Sequence, residues 1–289
     1  TELGKYKEAI ATADKMVSIR PDLRSYSRIA YLREIHGYYD GATEAMKLAL
    51  SSGFPGAEQT EWVRVQLGNL YKKTGQSDLA ELQFRESLIH RPLFAPALSG
   101  LGDLFRMKNN PDSAIVYYRK AANVVPDYSY FLNTAICAKE LNNKLLFDSC
   151  IQLAEQILIS HSHSTDEENG IGHYVDRELS QVYLAAGDYD KAYYAARTEY
   201  LRRPSNIDIN ETLAWASYKK GNYKEAKFHI LSAGRTHSKD AELLYKTGLI
   251  LKENGLPLIS QDWLQEARRI NKYVDVYFLN VNNLKVALK

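Results

Sequence analysis

The chain has 289 residues, 37 basic and 35 acidic, for a net charge of +2, and 45% of them are hydrophobic. So even a charge balance argues against a dedicated nucleic-acid binder, which needs a concentrated basic face. No apolar run approaches the roughly 18 residues that a membrane-spanning helix needs.

Leu3-Gly4-Lys5-Tyr6 reads as a turn, and Ala9 and Ala13, four apart, mark one face of a helix that ends before Pro21. A helix is expected over residues 3–19, with its face of Ala9, Ala13 and Met16 covered on one side only. A helix pair follows from Leu23, carried by Ile29 and Ala30, then Gly37, then Ala42, Met46 and Ala49. Residues 51–56 hold a four-residue insertion.

From Glu61 the pattern becomes regular. Leu67, Gly68 and Tyr71 recur 34 residues on as Leu101, Gly102 and Phe105. Ala80, Phe84 and Pro92 recur at the same step as Ala114, Tyr118 and Pro126. Leu67 and Tyr71 share a helix face, as do Ala80 and Phe84. Gly68 and Ala80 are small where two helices approach. Gly75 breaks the chain where a left-handed residue is easiest, and Pro92 ends the second helix. One such pair cannot bury its own apolar face, whereas a stack of pairs can.

The unit from Ser129 is degenerate. Ala135 and Ile136 fit, but Asp148 falls where a small residue belongs, so imperfect stacking is expected. Residues 145–159 keep a helical pattern, and residues 161–172 form a polar excess of ten over the period. Turn glycines Gly187, Gly221 and Gly255 then recur at 34, with Ala192 and Ala226 in the small position. Pro257 and Ser260 weaken the start of the last second helix. Residues 275–289 read as one more helix, with Leu279, Val286 and Leu288 covering the end. The expected organisation is repeat units over 1–159, an insertion loop over 160–172, repeat units over 173–274, and a capping helix over 275–289.

This pattern resembles the tetratricopeptide repeat, a helix–turn–helix unit of about 34 residues. The tryptophan usual near the start of the unit is replaced by Arg64 and Leu98. The resemblance implies an all-α fold, a right-handed superhelical solenoid of antiparallel helix pairs whose concave groove holds a protein or peptide partner. By register, that groove is lined by Trp62, Asn69, Lys72, Lys73, Asp103, Arg106, Tyr174, Arg177, Asp208, Glu211, Trp215, Tyr218 and Tyr245. Before residue 129 the wall carries Arg24, Lys72, Lys73 and Arg106 against Glu34 and Asp103. After it, Arg177, Lys219 and Lys252 stand against Glu140, Asp208, Glu211, Glu242 and Glu253. A partner acidic toward one end and basic toward the other is expected, with Trp62, Trp215 and Tyr218 supplying most of the affinity. The family's carboxylate-clamp subtype is absent: Asn69 fits, but Val65 and Gly100 stand where it needs Lys and Asn.

The residues support no catalytic chemistry. No nucleophile elbow, phosphate-binding glycine loop or His-Glu-x-x-His occurs. No cofactor is expected. His161, His163 and His173, with Asp166, Glu167 and Glu168, are metal-ligand types and offer a metal-handling alternative, but the loop lacks groups to orient them. A second alternative is a regulatory or assembly subunit acting through its convex face or by oligomerisation. Tyr118 takes a core position, and Tyr117 and Tyr193 are expected in the outer layer. Cys137 and Cys150 flank a turn near Asn143, and helix axes roughly 8–10 Å apart favour two buried thiols over a disulfide. The sequence opens inside a repeat, so a native start before residue 1 is expected, and the compartment is open between cytoplasm and periplasm.

Overall fold

The computed structural model describes residues 1–163 and 174–278. They form α1 (Tyr6–Ile19), α2 (Leu23–Ile35), α3 (Tyr39–Ser51), α4 (Glu58–Lys73), α5 (Ser77–His90), α6 (Ala95–Met107), α7 (Pro111–Val124) and α8 (Tyr128–Glu140). Then come α9 (Lys144–His163), α10 (Asp176–Ala186), α11 (Tyr189–Arg202), α12 (Ile207–Lys219), α13 (Tyr223–Ala233), α14 (Ala241–Glu253) and α15 (Pro257–Ile270). Short 3₁₀ turns follow at Gly234–Thr236 and Val274–Phe278. The described residues contain no strand, and the fold is an all-α solenoid.

Each described helix pair turns on one left-handed residue: Gly37, Gly75, Asn109, Asn142, Gly187, Gly221 and Gly255; Gly4, in the turn before α1, has the same conformation. Glycine or asparagine is what that conformation tolerates. The helix starts are fixed by polar caps. Asp22, Asn206 and Asp240 each accept from two first-turn amides. The repeat spacing has a direct packing cause. The Phe84 ring of α5 lies between Gly68 of α4 and Gly100 of α6, and a Cβ on either glycine would sit 2.6 Å from it. Tyr118 uses Gly102 in the same way one unit on.

Several expectations shift. α1 begins at Tyr6 rather than residue 3, because Leu3 and Gly4 are spent in a turn. The positive-φ residue of the degenerate unit is Asn142, one short of the 34-residue step from Asn109. The α9 register moves with it. Cys150, Ala154 and Leu158 are buried, while Asp148 faces solvent and pairs with Lys144 at 2.7 Å. Pro257 starts α15 rather than weakening it, since its missing N–H falls among amides that have no helical partner. Ser260 fills the small buried position. α9 continues through His163, into the expected loop. Residues 164–173, and residues 279–289 of the expected capping helix, lie outside the described residues; Val274–Phe278 is a 3₁₀ turn. Cys137 and Cys150 are free buried thiols. Burial pushes Cys137 up to about 12 and Cys150 in the same direction.

The array also closes on itself. The α1 approach is held from a distance: the Ile207 amide donates to the Tyr6 hydroxyl at 3.0 Å, and Asn206 donates to the Glu2 carbonyl at 3.0 Å. Arg203 pairs with Glu2, and Arg235 donates to the Gly4 carbonyl at 3.2 Å. One unit on, the Gly37 turn meets the backbone of His237, and Lys73 pairs with Asp240 at 3.3 Å. Next, Asn271 donates to the Lys72 carbonyl at 3.2 Å, and the Tyr273 and Ser77 hydroxyls stand 3.5 Å apart. Three successive turns thus rest on three successive inter-unit loops about one superhelical turn later. The N-terminal helix therefore has a neighbour that repeat register alone does not provide.

This seam sets an expected asymmetry between two glycines of equal backbone conformation. A Cβ on Gly37 would lie 2.7 Å from the His237 carbonyl oxygen, whereas one on Gly221 meets nothing within 4 Å among the described residues. Gly221→Ala should cost only the left-handed penalty of about 1–2 kcal/mol. Gly37→Ala should cost distinctly more in denaturant unfolding. Equal shifts would mean that the seam is open in solution.

Candidate partner-binding groove

The even-numbered helices line the concave side. Their charged residues are joined from unit to unit. Lys73 of α4 pairs with Glu34 of α2 at 2.6 Å, and Lys72 of α4 with Asp103 of α6. Asp103 also accepts from the Tyr118 hydroxyl at 2.7 Å. Arg106 of α6 pairs with Glu140 of α8 at 3.0 Å, and Lys246 of α14 with Glu211 of α12 at 2.6 Å. Most partners stand close to one period apart in sequence, so adjacent inner helices are laced across the groove wall.

Two large clefts open between these helices. The first, about 1060 Å³, is lined by Arg24, Arg28, Tyr31, Glu58, Trp62 and Phe94, among others. The second, about 740 Å³, lies among α6, α8, α10, α12 and α14 and is bordered by Tyr277 and Phe278.

Residues 65–128 match the family model of the tetratricopeptide repeat. That stretch belongs to the tetratricopeptide repeat family. It is similar to mouse (Mus musculus) anaphase-promoting complex subunit 7, at 24% identity over 235 residues, 72% of this chain and 41% of the relative. The chain thus spans about two-fifths of that relative's length. Among solved structures it is similar to the Cut9–Hcn1 hetero-tetramer, at 18% identity and a TM-score of 0.48, covering 95% of this chain and 52% of that one. A tetratricopeptide repeat protein from Parabacteroides merdae gives 14% identity and a TM-score of 0.47, covering 94% and 98%. No helix among the described residues is long and apolar enough to cross a membrane.

The repeat register places the expected groove residues unequally. Trp62 is 46% exposed in the first cleft. Asn69, Lys72, Lys73 and Asp103 line a smaller one of about 360 Å³. Arg106, Arg177, Asp208, Glu211 and Trp215 line the second large cleft. Trp215 is not free there: it stacks on Tyr218 at 4.9 Å and meets Phe278 edge-on at 5.7 Å. Tyr245 is 1% exposed, stacked on Phe278 at 4.5 Å, and its hydroxyl donates to Asp275 at 2.7 Å. Tyr174 lies away from both clefts, under the Arg202 guanidinium of α11 at 4.0 Å. Tyr117 stacks on Phe105, and Tyr193 is buried with its hydroxyl on Glu225.

Register reading left out Lys246, Lys139 and the stretch 271–278. Lys246 stands 35 residues after Glu211, so a search for opposite charges one period apart finds it. The stretch 271–278 has no such signal. The formal charge gradient along the wall is largely consumed by the ion pairs. Among the described residues no group of three His, Cys, Asp or Glu is arranged to hold a metal ion. The stretch with His173, Asp166, Glu167 and Glu168 lies outside them.

Burial shapes the remaining charges. It would pull the Lys73 ammonium down, but Asp240 and Glu34 together raise it well above its usual range. For Asp240, burial is outweighed by Lys73 and the Leu243 amide, and its carboxyl is lowered. Burial raises Asp208 against the pull of Arg177, and burial raises Glu242 against Lys246. Burial, with Lys139 nearby, pushes Lys219 down to about 8.

The seam pair fixes a pH window. Asp240 is lowered from 3.8, so its contribution is present above that pH and is lost as pH falls through the lower folded value. Lys73 is raised from 10.5, so its contribution is present below that pH and is lost as pH rises through the higher folded value. Lys73→Met should lower stability at neutral pH by up to about 1 kcal/mol, modest because the side chain is partly exposed. The difference from wild type should shrink below about pH 4, measured by thermal unfolding across pH. A difference independent of pH would assign the effect to packing instead.

Proposed function

We propose that this protein is a non-enzymatic scaffold that holds an extended or helical segment of a protein partner in its concave groove. The observation that carries the reading is Trp62. It is a large aromatic left half-exposed in a cleft of about 1060 Å³, beside Arg24, Arg28 and Tyr31. Tryptophan, tyrosine and arginine in a concave site are the residue types that dominate binding energy. A solenoid wall of helix pairs offers such segments a long surface rather than a deep pocket.

A second reading has its own support. The outer helices expose Leu82, Val116, Tyr194 and Phe228 at the same position in four units. The similar mouse protein is, by name, a subunit of a larger complex. An assembly subunit working through its convex face fits those two observations.

Trp62 is a cleaner probe than Trp215, which also packs on Phe278. With a partner recovered by pull-down, Trp62→Ala should weaken binding by roughly 2 kcal/mol while helicity stays unchanged. Phe228→Ala should change it little. The reverse pattern moves the interface to the convex face.

A further inference from the structure

Most cations of the inner wall are committed. Lys72, Lys73, Arg106 and Lys246 each hold a carboxylate. Lys139 and Lys219 do not. Lys139 donates to the Ala185 carbonyl at 3.0 Å and lies over the Phe147 ring. Lys219 lies over Trp215 at 5.2 Å and near Tyr189 at 5.9 Å. Among the described residues no carboxylate stands within ion-pair distance of either amine. Both side chains line the cleft of about 740 Å³.

The acids of the same cleft sit elsewhere. Asp208 is in the first turn of α12 and Lys219 in its last, a separation of about 16 Å along the helix. Asp208 has Arg177 near it, Glu211 holds Lys246, and Glu242 feels the same Lys246. Asp240, next to this acidic end, is closed by Lys73 across the seam. The cleft is therefore polar along the helices: its acids at the first turns each have a cation near them, while the two lysines at the last turns have no carboxylate within ion-pair distance among the described residues. Arg177 adds a buried Nε with no hydrogen-bond partner on the same wall.

We infer that the last-turn end of this cleft, marked by Lys139 and Lys219, receives an acidic side chain of the partner segment, with apolar neighbours packed over Trp215 and Leu132. The inference rests on the groove reading above and assigns that groove a ligand chemistry. An aspartate or glutamate there gains two cations that have no competing carboxylate, and the aromatic floor excludes water from the pair. The lowered Lys219 amine is consistent with a charge held in place without its counterion. The same feature predicts that capture weakens above about pH 8, where that amine loses its proton.

The test uses the full chain, immobilised, and a random hexapeptide library acetylated and amidated so that side chains supply the only carboxylates. Wild type should enrich Asp and Glu about tenfold, the gain of one charge-assisted hydrogen bond. Lys219→Met, which keeps the apolar stem, should abolish that enrichment while still retaining apolar peptides. Lys219→Arg should restore it, and Lys139→Met should reduce it. Circular dichroism checks that each variant is folded. Retention of peptides without acidic preference, or an enrichment unchanged in Lys219→Met, overturns this inference alone. Retention of no peptide by the wild type overturns the groove reading and this inference with it.

Discussion

Backbone meeting backbone at the seam is the constraint from which the shape of this solenoid follows. A helix-pair turn can rest on another unit's loop only if nothing projects from it. Gly4, Gly37 and Gly75 satisfy that at the three turns that touch Ser205, His237 and Asn271. Gly187, Gly221 and Gly255 have the same left-handed conformation, and among the described residues a Cβ on any of them would meet nothing within 4 Å. Local geometry requires a permissive residue at every turn, but only the first three are also required by long-range contact. Closing those three contacts turns an open spring into a coil with an enclosed inner wall.

That closure changes what the inner wall is for. In an open solenoid, charges on the first helices of each pair face solvent and are free for a partner. Here most of them bridge neighbouring helices, and one, Lys73, also crosses the seam to Asp240. Partly buried pairs of this kind hold neighbouring helices in register more than they add net stability. The stretch after α15 contributes as well. Tyr277 lies under Arg106 at 5.2 Å, while Phe278 covers Tyr245. What the ion pairs leave open on the wall is a smaller set: the Trp62 cleft and the basic end of the second cleft.

The amount of this legible beforehand differs by element. The 34-residue step marks the helices, the turns and the small positions because each arises from contacts within a unit or with its neighbour. Phe84 against Gly68 and Gly100 is such a contact, and it repeats as Tyr118 against Gly102. The degenerate unit misled at Asp148 because one missing turn residue moves an entire helix face, and composition does not register that shift. Trp62 and Trp215 share the groove wall by register, yet Trp62 is half-exposed while Trp215 lines its cleft partly covered by Tyr218 and Phe278. The Phe278 contact has no signal in the repeat register.

The sequence by itself determined the 34-residue unit, the all-α solenoid and the glycine turns of its regular units. These depend on separations of one period or less, where residue type and spacing carry the physics. The tertiary structure alone decided that the array closes, which charges neutralise one another, and which aromatics stay available. Tyr6 meets Ile207 and Asn271 meets Lys72 with a side chain at one end of each bond and a backbone amide or carbonyl, a group that every residue carries, at the other. The backbone half leaves no mark on residue identity, so the tyrosine or asparagine does not announce a partner about 200 residues away.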